Sequence, residues 1–404
     1  MIYDFDHPHE FAGTNSMKWE HYFDGKVSHY TDRTHPRYGA DRWLAMWVAD
    51  MDFSTAPPII EALAARVARG VFGYAKATTP YYEAVQLWVT RRYGFTPQRD
   101  WFVLTPGVVP ALNMLMQAII KPGDKVLVQR PVYYPFFDVV ERNGATLVNN
   151  ALRLEDGVYR MDFEDLARSA ADPALKATIL CSPHNPVGRV WTRDELTRFV
   201  TICQDNDVLV IADELHADLL YPGEHFVSVG SLGADVLQRS VICTAPTKSF
   251  NLAGLKVSNI FVPDEALRQQ LQTIIERNGL GNASNLALVA TEAAYRHGEP
   301  WLNAMMAYVA DNYQFLATFL ADHLPQLTVV PPQGTYLVWV DFRALGLAPA
   351  ERKRIIMEEA GLLLDEGELF GPEGEGFERF NLACPRAILE EALLRLARVL
   401  GRLA

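Results

Sequence analysis

Between residues 101 and 243 the chain repeats one pattern: a short apolar run, a turn, then a helix-like segment. The runs fall at residues 101–104, 124–129, 145–148, 177–181, 208–212 and 241–243. They are continuous instead of alternating polar and apolar, which is how strands covered on both faces read. Between them, residues 111–120 form an apolar helix stopped by Lys121-Pro122-Gly123, and Thr192-Arg193-Asp194-Glu195 is a capping box opening another. Strands alternating with helices predict an α/β fold with a mainly parallel sheet flanked by helices. No repeat of 20–50 residues and no low-complexity tract competes with that reading.

The flanks differ. The first fifty residues are aromatic and polar, with Lys18-Trp19 and the run Trp43-Leu44-Ala45-Met46-Trp47-Val48-Ala49-Asp50-Met51-Asp52-Phe53, and they read as an extended arm and loop. Pro57-Pro58 then opens a helix with Ile59, Leu63 and Val67 on one face and Gly70 at its stop. After about Asn278 helical periodicity takes over at 287–295 and 301–320, followed by a strand-like stretch at 334–340 and a glycine-rich loop at 367–376. These predict a smaller α+β domain completed by the N-terminal segment. The expected division is 1–52 for the arm and its share of the small domain, 53–283 for the large domain, and 284–404 for the small one.

A chain of 404 residues with 49% apolar and 21% charged content can bury a large core and a smaller one. Its net charge of −12 argues against a nucleic-acid partner and against a membrane surface, since both need clustered Lys and Arg. A small-molecule substrate is the expected partner. The first seven residues show no basic or apolar leader, and no apolar run reaches the roughly 18 residues of a membrane span, so a cytoplasmic protein is expected. Cys181, Cys203, Cys243 and Cys384 are dispersed, without a zinc-type pair, and read as reduced buried thiols with no metal site.

Ligands of open parallel sheets bind beyond the carboxyl ends of the strands, so the residues just after each run belong together. The run 101–104 leads into Thr105-Pro106-Gly107-Val108-Val109, where glycine permits close backbone approach and a helix start offers N–H groups to phosphate. The next leads to Tyr133, able to stack on an aromatic ring. Residues 177–181 lead to Asn185, an amide donor, and 208–212 lead to Asp213, a carboxylate that needs a cationic partner when buried. Residues 241–243 lead to Thr244-Ala245-Pro246-Thr247-Lys248-Ser249. A lysine there can lose its proton near neutral pH and condense with an aldehyde. Each motif also has a plainer reading, as a turn, a core aromatic or a solvated charge. Taken in this order they supply the phosphate cradle, ring stack, oxygen donor, pyridinium partner and Schiff-base lysine of a pyridoxal 5'-phosphate (PLP) site.

Nearly the whole chain resembles the fold-type I PLP enzymes of the aminotransferase class I/II superfamily, and more narrowly the MalY/PatB-type cystathionine β-lyases. The resemblance runs from residues 14–19 and 47–53 through Gly73-Tyr74, 131–137, 181–191, 213–218, the Lys248 loop and 334–340 to 370–374 and 379–386. It implies a seven-stranded large-domain sheet, with 53–283 as the PLP-binding domain. It also implies that Lys248 forms the Schiff base, Asp213 pairs with the ring nitrogen, Tyr133 stacks and Asn185 donates to the ring oxygen. Gly107 and Val108 would meet the phosphate with Thr247. Tyr74 would reach the phosphate of a neighbouring subunit, which implies a homodimer with shared sites. Arg379 would hold the carboxylate of an amino acid substrate, with Asn185 beside it, a task suited to a planar bidentate donor.

Three positions qualify the match. Three residues after Asp213, where many aminotransferases carry tyrosine, the chain has His216, as the lyase-like branch does. Ala245 stands where a hydroxyl residue is usual, and Lys256 stands where arginine is usual. The implied reaction is β-elimination of L-cystathionine and related S-substituted cysteines to thiol, pyruvate and ammonia. An aminotransferase using the same residues and a regulatory protein acting through a binding partner are the alternatives.

Overall fold

Every apolar run of the repeat becomes a strand of one seven-stranded sheet in the computed structural model, which describes residues 3–23, 28–30, 34–35, 39–40, 43–281 and 283–401. The strands are labelled β1 (Phe102–Thr105), β2 (Lys125–Val128), β3 (Thr146–Asn149), β4 (Leu175–Cys181), β5 (Leu209–Asp213), β6 (Ser240–Thr244) and β7 (Ser258–Phe261). Their order across the sheet is β1-β7-β6-β5-β4-β2-β3. Only β7 runs antiparallel to its neighbours, so the carboxyl ends of the other six share one edge. In β5 alternate residues belong to different cores, Ile211 to one and Val210 and Ala212 to the other. A strand buried on both faces needs apolar residues at every position, which explains the continuous runs.

β7 is the strand that the apolar pattern does not announce. It carries Ser258 and Asn259, both fully buried. Their side-chain oxygens are hydrogen-bonded: Ser258 Oγ lies 2.6 Å from Thr105 Oγ1, and Tyr81 OH donates to Asn259 Oδ1 at 2.8 Å. Buried polar groups persist where they are hydrogen-bonded, and here the partners come from residues far away in the chain.

Helices cover the sheet. α1 (Pro57–Ala68) begins on Pro57-Pro58 as expected, and α2 (Thr79–Tyr93) buries Tyr81, Val85, Trp88 and Val89 and stops at Gly94, which takes the left-handed φ of 78° suited to glycine. α3 (Val108–Ile119) starts where β1 ends, and α4 (Arg193–Asp205) has the capping box, with Thr192 and Glu195 each bonding the other's backbone N–H. α5 (Asn285–His297) and α6 (Glu299–His323) lead to a four-stranded antiparallel sheet of β8 (Thr328–Val329), β9 (Leu337–Asp341), β10 (Asp365–Glu366) and β11 (Phe377–Asn381), in the order β8-β9-β11-β10. One apolar cluster runs from the face of the large sheet into this smaller one. Among the described residues no helix is long and apolar enough to cross a membrane.

The N-terminal segment is more structured than an extended arm. Ser16 caps the short helix Met17–Glu20, whose Lys18 makes a fully buried ion pair with Asp52 at 2.9 Å. The strand Leu44–Ala45 pairs in parallel with Leu362–Leu363, tying the segment to the C-terminal part of the chain.

Candidate active site

The shared carboxyl edge of the large sheet opens into a cavity of about 360 Å³. Its lining brings together Gly107, Val108, Tyr133, Asn185, Asp213, His216, Thr247 and Lys248, drawn from the loops after β1, β2, β4, β5 and β6. Eight of the ten residues expected from sequence therefore face one space. Arg379 stands just behind it, bonding Asn185, and Tyr74 lies elsewhere, fully exposed on the surface.

At one end of the cavity α3 starts at Val108, with Gly107 as its N-cap at a φ of 146°. That is a conformation residues with a Cβ rarely adopt, which suits glycine, and the first-turn N–H groups of a helix have no partner within it. Lys256 lines the cavity too and takes a left-handed φ of 57°. A helix N-terminus, the hydroxyl residue Thr247 and the cation Lys256 thus line one cavity, a combination chemically able to hold an anion.

At the other end Asp213 closes β5. One of its oxygens accepts from Leu215 N at 3.1 Å; the other has no protein partner among the described residues. In register on either side stand Cys181 of β4 and Cys243 of β6, both thiols buried and free. Such neighbours solvate a carboxylate poorly, and burial pushes Asp213 up to about 7. His216, reached by the turn after Asp213, is driven down to about 3 by burial, with the charges of Lys248 and Arg379 acting in the same direction. Its ring is therefore neutral at pH 7, and its buried Nδ1 has no partner.

Lys248 sits on the single helical turn Pro246–Ser249 that follows β6. Burial lowers its amine to about 8, opposed chiefly by the charge of Asp50 and then, more weakly, by that of Asp213; Arg379 and Lys256 reinforce the lowering. The amine donates a short hydrogen bond to the carbonyl of Ala49, which also accepts from Tyr336 OH at 2.9 Å. The turn itself is anchored by Ser249, whose Oγ donates to Asp218 at 2.8 Å. Asp218 is buried and also takes Trp88 Nε1, Arg92 Nε and Tyr93 OH, all from α2.

Arg379 comes from β11, in register with Trp339 and Asp365. Its guanidinium pairs closely with Asp365, donates to Trp47 O at 2.5 Å and reaches Asn185 Oδ1 at 3.1 Å, while Phe370 stacks against it at 5.0 Å. Because Asn185 accepts through Oδ1, its amide nitrogen keeps its donors for the cavity. Tyr133 is held by a bond from its own N to Asn185 O at 3.1 Å. Sequence reasoning missed Asp50, Tyr336, Asp365 and Asp218 as members of this network. The first two lie in runs noted for their pattern, but only tertiary structure brings them to Lys248.

The chain is similar to known proteins over nearly its whole length. The family model for aminotransferase class I and II matches residues 46–396. The cystathionine β-lyase PatB of Bacillus subtilis is 40% identical over 398 residues, 98% of this chain and all of that protein. Among solved structures, cystalysin from Treponema denticola, which contains a pyridoxal 5'-phosphate cofactor, superimposes with a TM-score of 0.94 at 33% identity over the full length of both chains. The PLP-bound C-S lyase from Staphylococcus hominis gives 0.89 at 32% identity, covering 99% of this chain and 98% of that one.

Proposed function

The chain belongs to the aminotransferase class I and II family, and from that premise we propose that it is a PLP-dependent carbon–sulfur lyase. It acts on L-cystathionine and related S-substituted cysteines, releasing thiol, pyruvate and ammonia. The observation that carries this reading is the convergence of Lys248, Asp213, Asn185, His216 and the α3 N-terminus on one cavity, in a chain that resembles C-S lyases over its whole length.

The residues present fit the cofactor. The free oxygen of Asp213 suits a protonated ring nitrogen, the Asn185 amide a ring oxygen, Tyr133 a ring face, and the first turn of α3 with Thr247 and Lys256 a phosphate. When bound, the cofactor takes up the electron pair left at the substrate Cα, which makes the bond from Cβ to sulfur breakable. Lys248 would hold the aldehyde carbon of the cofactor, and its Nζ, an amine poised near 8, is the group suited to remove the Cα proton of a substrate. Asp213 would pair with the ring nitrogen and favour its protonated form. Arg379 and Asn185 orient the substrate carboxylate, and Asp365 and the Trp47 carbonyl fix the guanidinium for that task.

Tyr74 belongs to the same reading. Its full exposure, beside exposed Val71 and Phe72, suits a segment covered by a second copy whose phosphate it reaches, so the working unit is a homodimer. A cytoplasmic site of action goes with it, because four free thiols suit a reducing compartment. The test is an assay of the purified holoenzyme with cystathionine and no keto acid. Continuous release of pyruvate and homocysteine supports the lyase; a single turnover that resumes only when a keto acid is added would replace it with an aminotransferase.

A further inference from the structure

Tyr336 follows a strained turn, and its hydroxyl ends on the carbonyl that holds the Lys248 amine. Gly334 is packed so closely that a Cβ there would lie 2.9 Å from the Val190 side chain, 3.0 Å from Pro183 and 3.1 Å from Leu219 O. Thr335 has a φ of 69°, a left-handed conformation that a branched side chain resists. Loops from the large domain impose it: Gly188 O takes Gln333 N at 2.8 Å and Gly334 N at 3.0 Å, and Leu219 O takes Thr335 N at 2.7 Å. Strain of this kind survives where its surroundings over-determine it, and it gathers at functional sites. The turn delivers a fully buried phenol, whose OH donates to Ala49 O at 2.9 Å. Ala49 O also receives Lys248 Nζ, and a carbonyl oxygen has lone pairs enough for both donors. The flanking carbonyls are fixed separately, since Asn381 Nδ2 takes Val48 O at 2.7 Å and Asp50 O at 2.6 Å.

Building on the reading of Lys248 as the base, we propose that Tyr336 is a positioning residue, whose hydroxyl fixes the Ala49 carbonyl as the seat of Lys248 Nζ whenever that amine is not joined to the cofactor. A carbonyl suits the task. It can only accept, so it takes an N–H of the amine and leaves the nitrogen lone pair pointing away, toward whatever proton is to be removed. It is neutral, so it holds the amine in either protonation state, whereas a carboxylate favours the cation, as Asp52 does for Lys18 at 2.9 Å. A free lysine side chain must also give up rotamer freedom to reach a proton in the right geometry, and a seat fixed in advance removes that cost from the reaction step.

The test compares wild type with Tyr336→Phe, which removes the hydroxyl and keeps the ring. The variant should take up the cofactor with its visible absorbance retained, and lose kcat for pyruvate release ~10-fold with KM little changed, the signature of an interaction that matters after substrate binds. With substrate deuterated at Cα, its isotope effect on kcat should be at least as large as the wild type's, because proton removal is the step that slows. In cofactor-free protein carrying lysine labelled at Cε, the nuclear magnetic resonance signal of Lys248, assigned by its loss in Lys248→Ala, should report a more mobile side chain in Tyr336→Phe. An unchanged kcat, a loss confined to KM, a slowed reaction whose isotope effect shrinks, or a Lys248 signal no more mobile than in wild type overturns the proposal. Should Tyr336→Phe fail to fold, Tyr336→Leu carries the same readouts with the same expected and contrary results. A Lys248→Ala enzyme that makes pyruvate at the wild-type rate would sink the reading of Lys248 as the base, while the labelled-lysine measurement decides on Tyr336 by itself.

Discussion

Two lysines withdrawn from solvent each bond a carbonyl of residues 47–53, Lys18 that of Asp50 and Lys248 that of Ala49, and they are tuned in opposite directions. Lys18 is 1% exposed, yet its cation is favoured, because Asp52 lies 2.9 Å from Nζ and Asp50 adds to the attraction. Lys248 has no ion pair of that kind. Its amine bonds a neutral carbonyl, Arg379 and Lys256 oppose its charge, and burial lowers it to about 8. Burial therefore does not decide what a lysine does; the partner does. One lysine is locked as a structural cation, and the other is left able to gain and lose a proton.

The largest effect expected from this contrast is on turnover. Lys248→Ala removes the base and should cut pyruvate release by at least the ~10²–10⁴-fold attributed to general base catalysis, with no loss of thermal stability, as read by calorimetry. Lys18→Met should do the reverse. It strands Asp52 as an unpaired buried charge, which costs about 3–5 kcal/mol in urea unfolding, and the double variant Lys18→Met/Asp52→Leu should regain most of it. A Lys18→Met protein as stable as wild type would break the contrast at its structural end.

A pH series sharpens it. The amine of Lys248 is lowered to about 8 in the folded state against an ordinary 10.5, so between these values the unfolded chain binds the extra proton. Its contribution to stability must then rise with pH across that window. The stability difference between the cofactor-free wild type and Lys248→Met should shrink from pH 8 to 10.5. Lys18 has the opposite sign: raised above its ordinary value, it stabilises below pH 10.5 and loses that contribution as pH climbs past it. The smallest effect belongs to Ser249→Ala. It removes one of four donors to Asp218 beneath the Lys248 turn, should cost about 1 kcal/mol, and should be read as a modest drop in melting temperature with the Schiff base retained.

The parts of this site that could be read from sequence are those that local physics marks. Asp213, Asn185 and Lys248 follow runs that are apolar because both sheet faces are covered, so the apolar pattern itself marks the strand ends on which the cavity opens. Gly107 was marked by its turn and by the helix behind it. What escaped was set by distant partners. β7 is hidden by Ser258 and Asn259, whose bonds to Thr105 and Tyr81 span more than 150 residues of chain. The run 47–53 is visible in the sequence, but its carbonyl partners Arg379, Asn381, Tyr336 and Lys248 come from strands and turns about 200 to 330 residues away. Asp365 became a partner of Arg379 only through the register of β10 with β11. Tyr74 is a different case, since a single chain offers it nothing to contact.

The most direct measurement is to reduce the PLP-loaded enzyme with borohydride and map the modified peptide by mass spectrometry. Reduction fixes the Schiff base as a stable secondary amine on whichever lysine formed it. The expected result is one phosphopyridoxyl group per chain, on Lys248, with Lys18 and Lys256 unmodified. A label on Lys256, or one that persists in Lys248→Ala, would contradict the assignment on which the rest depends.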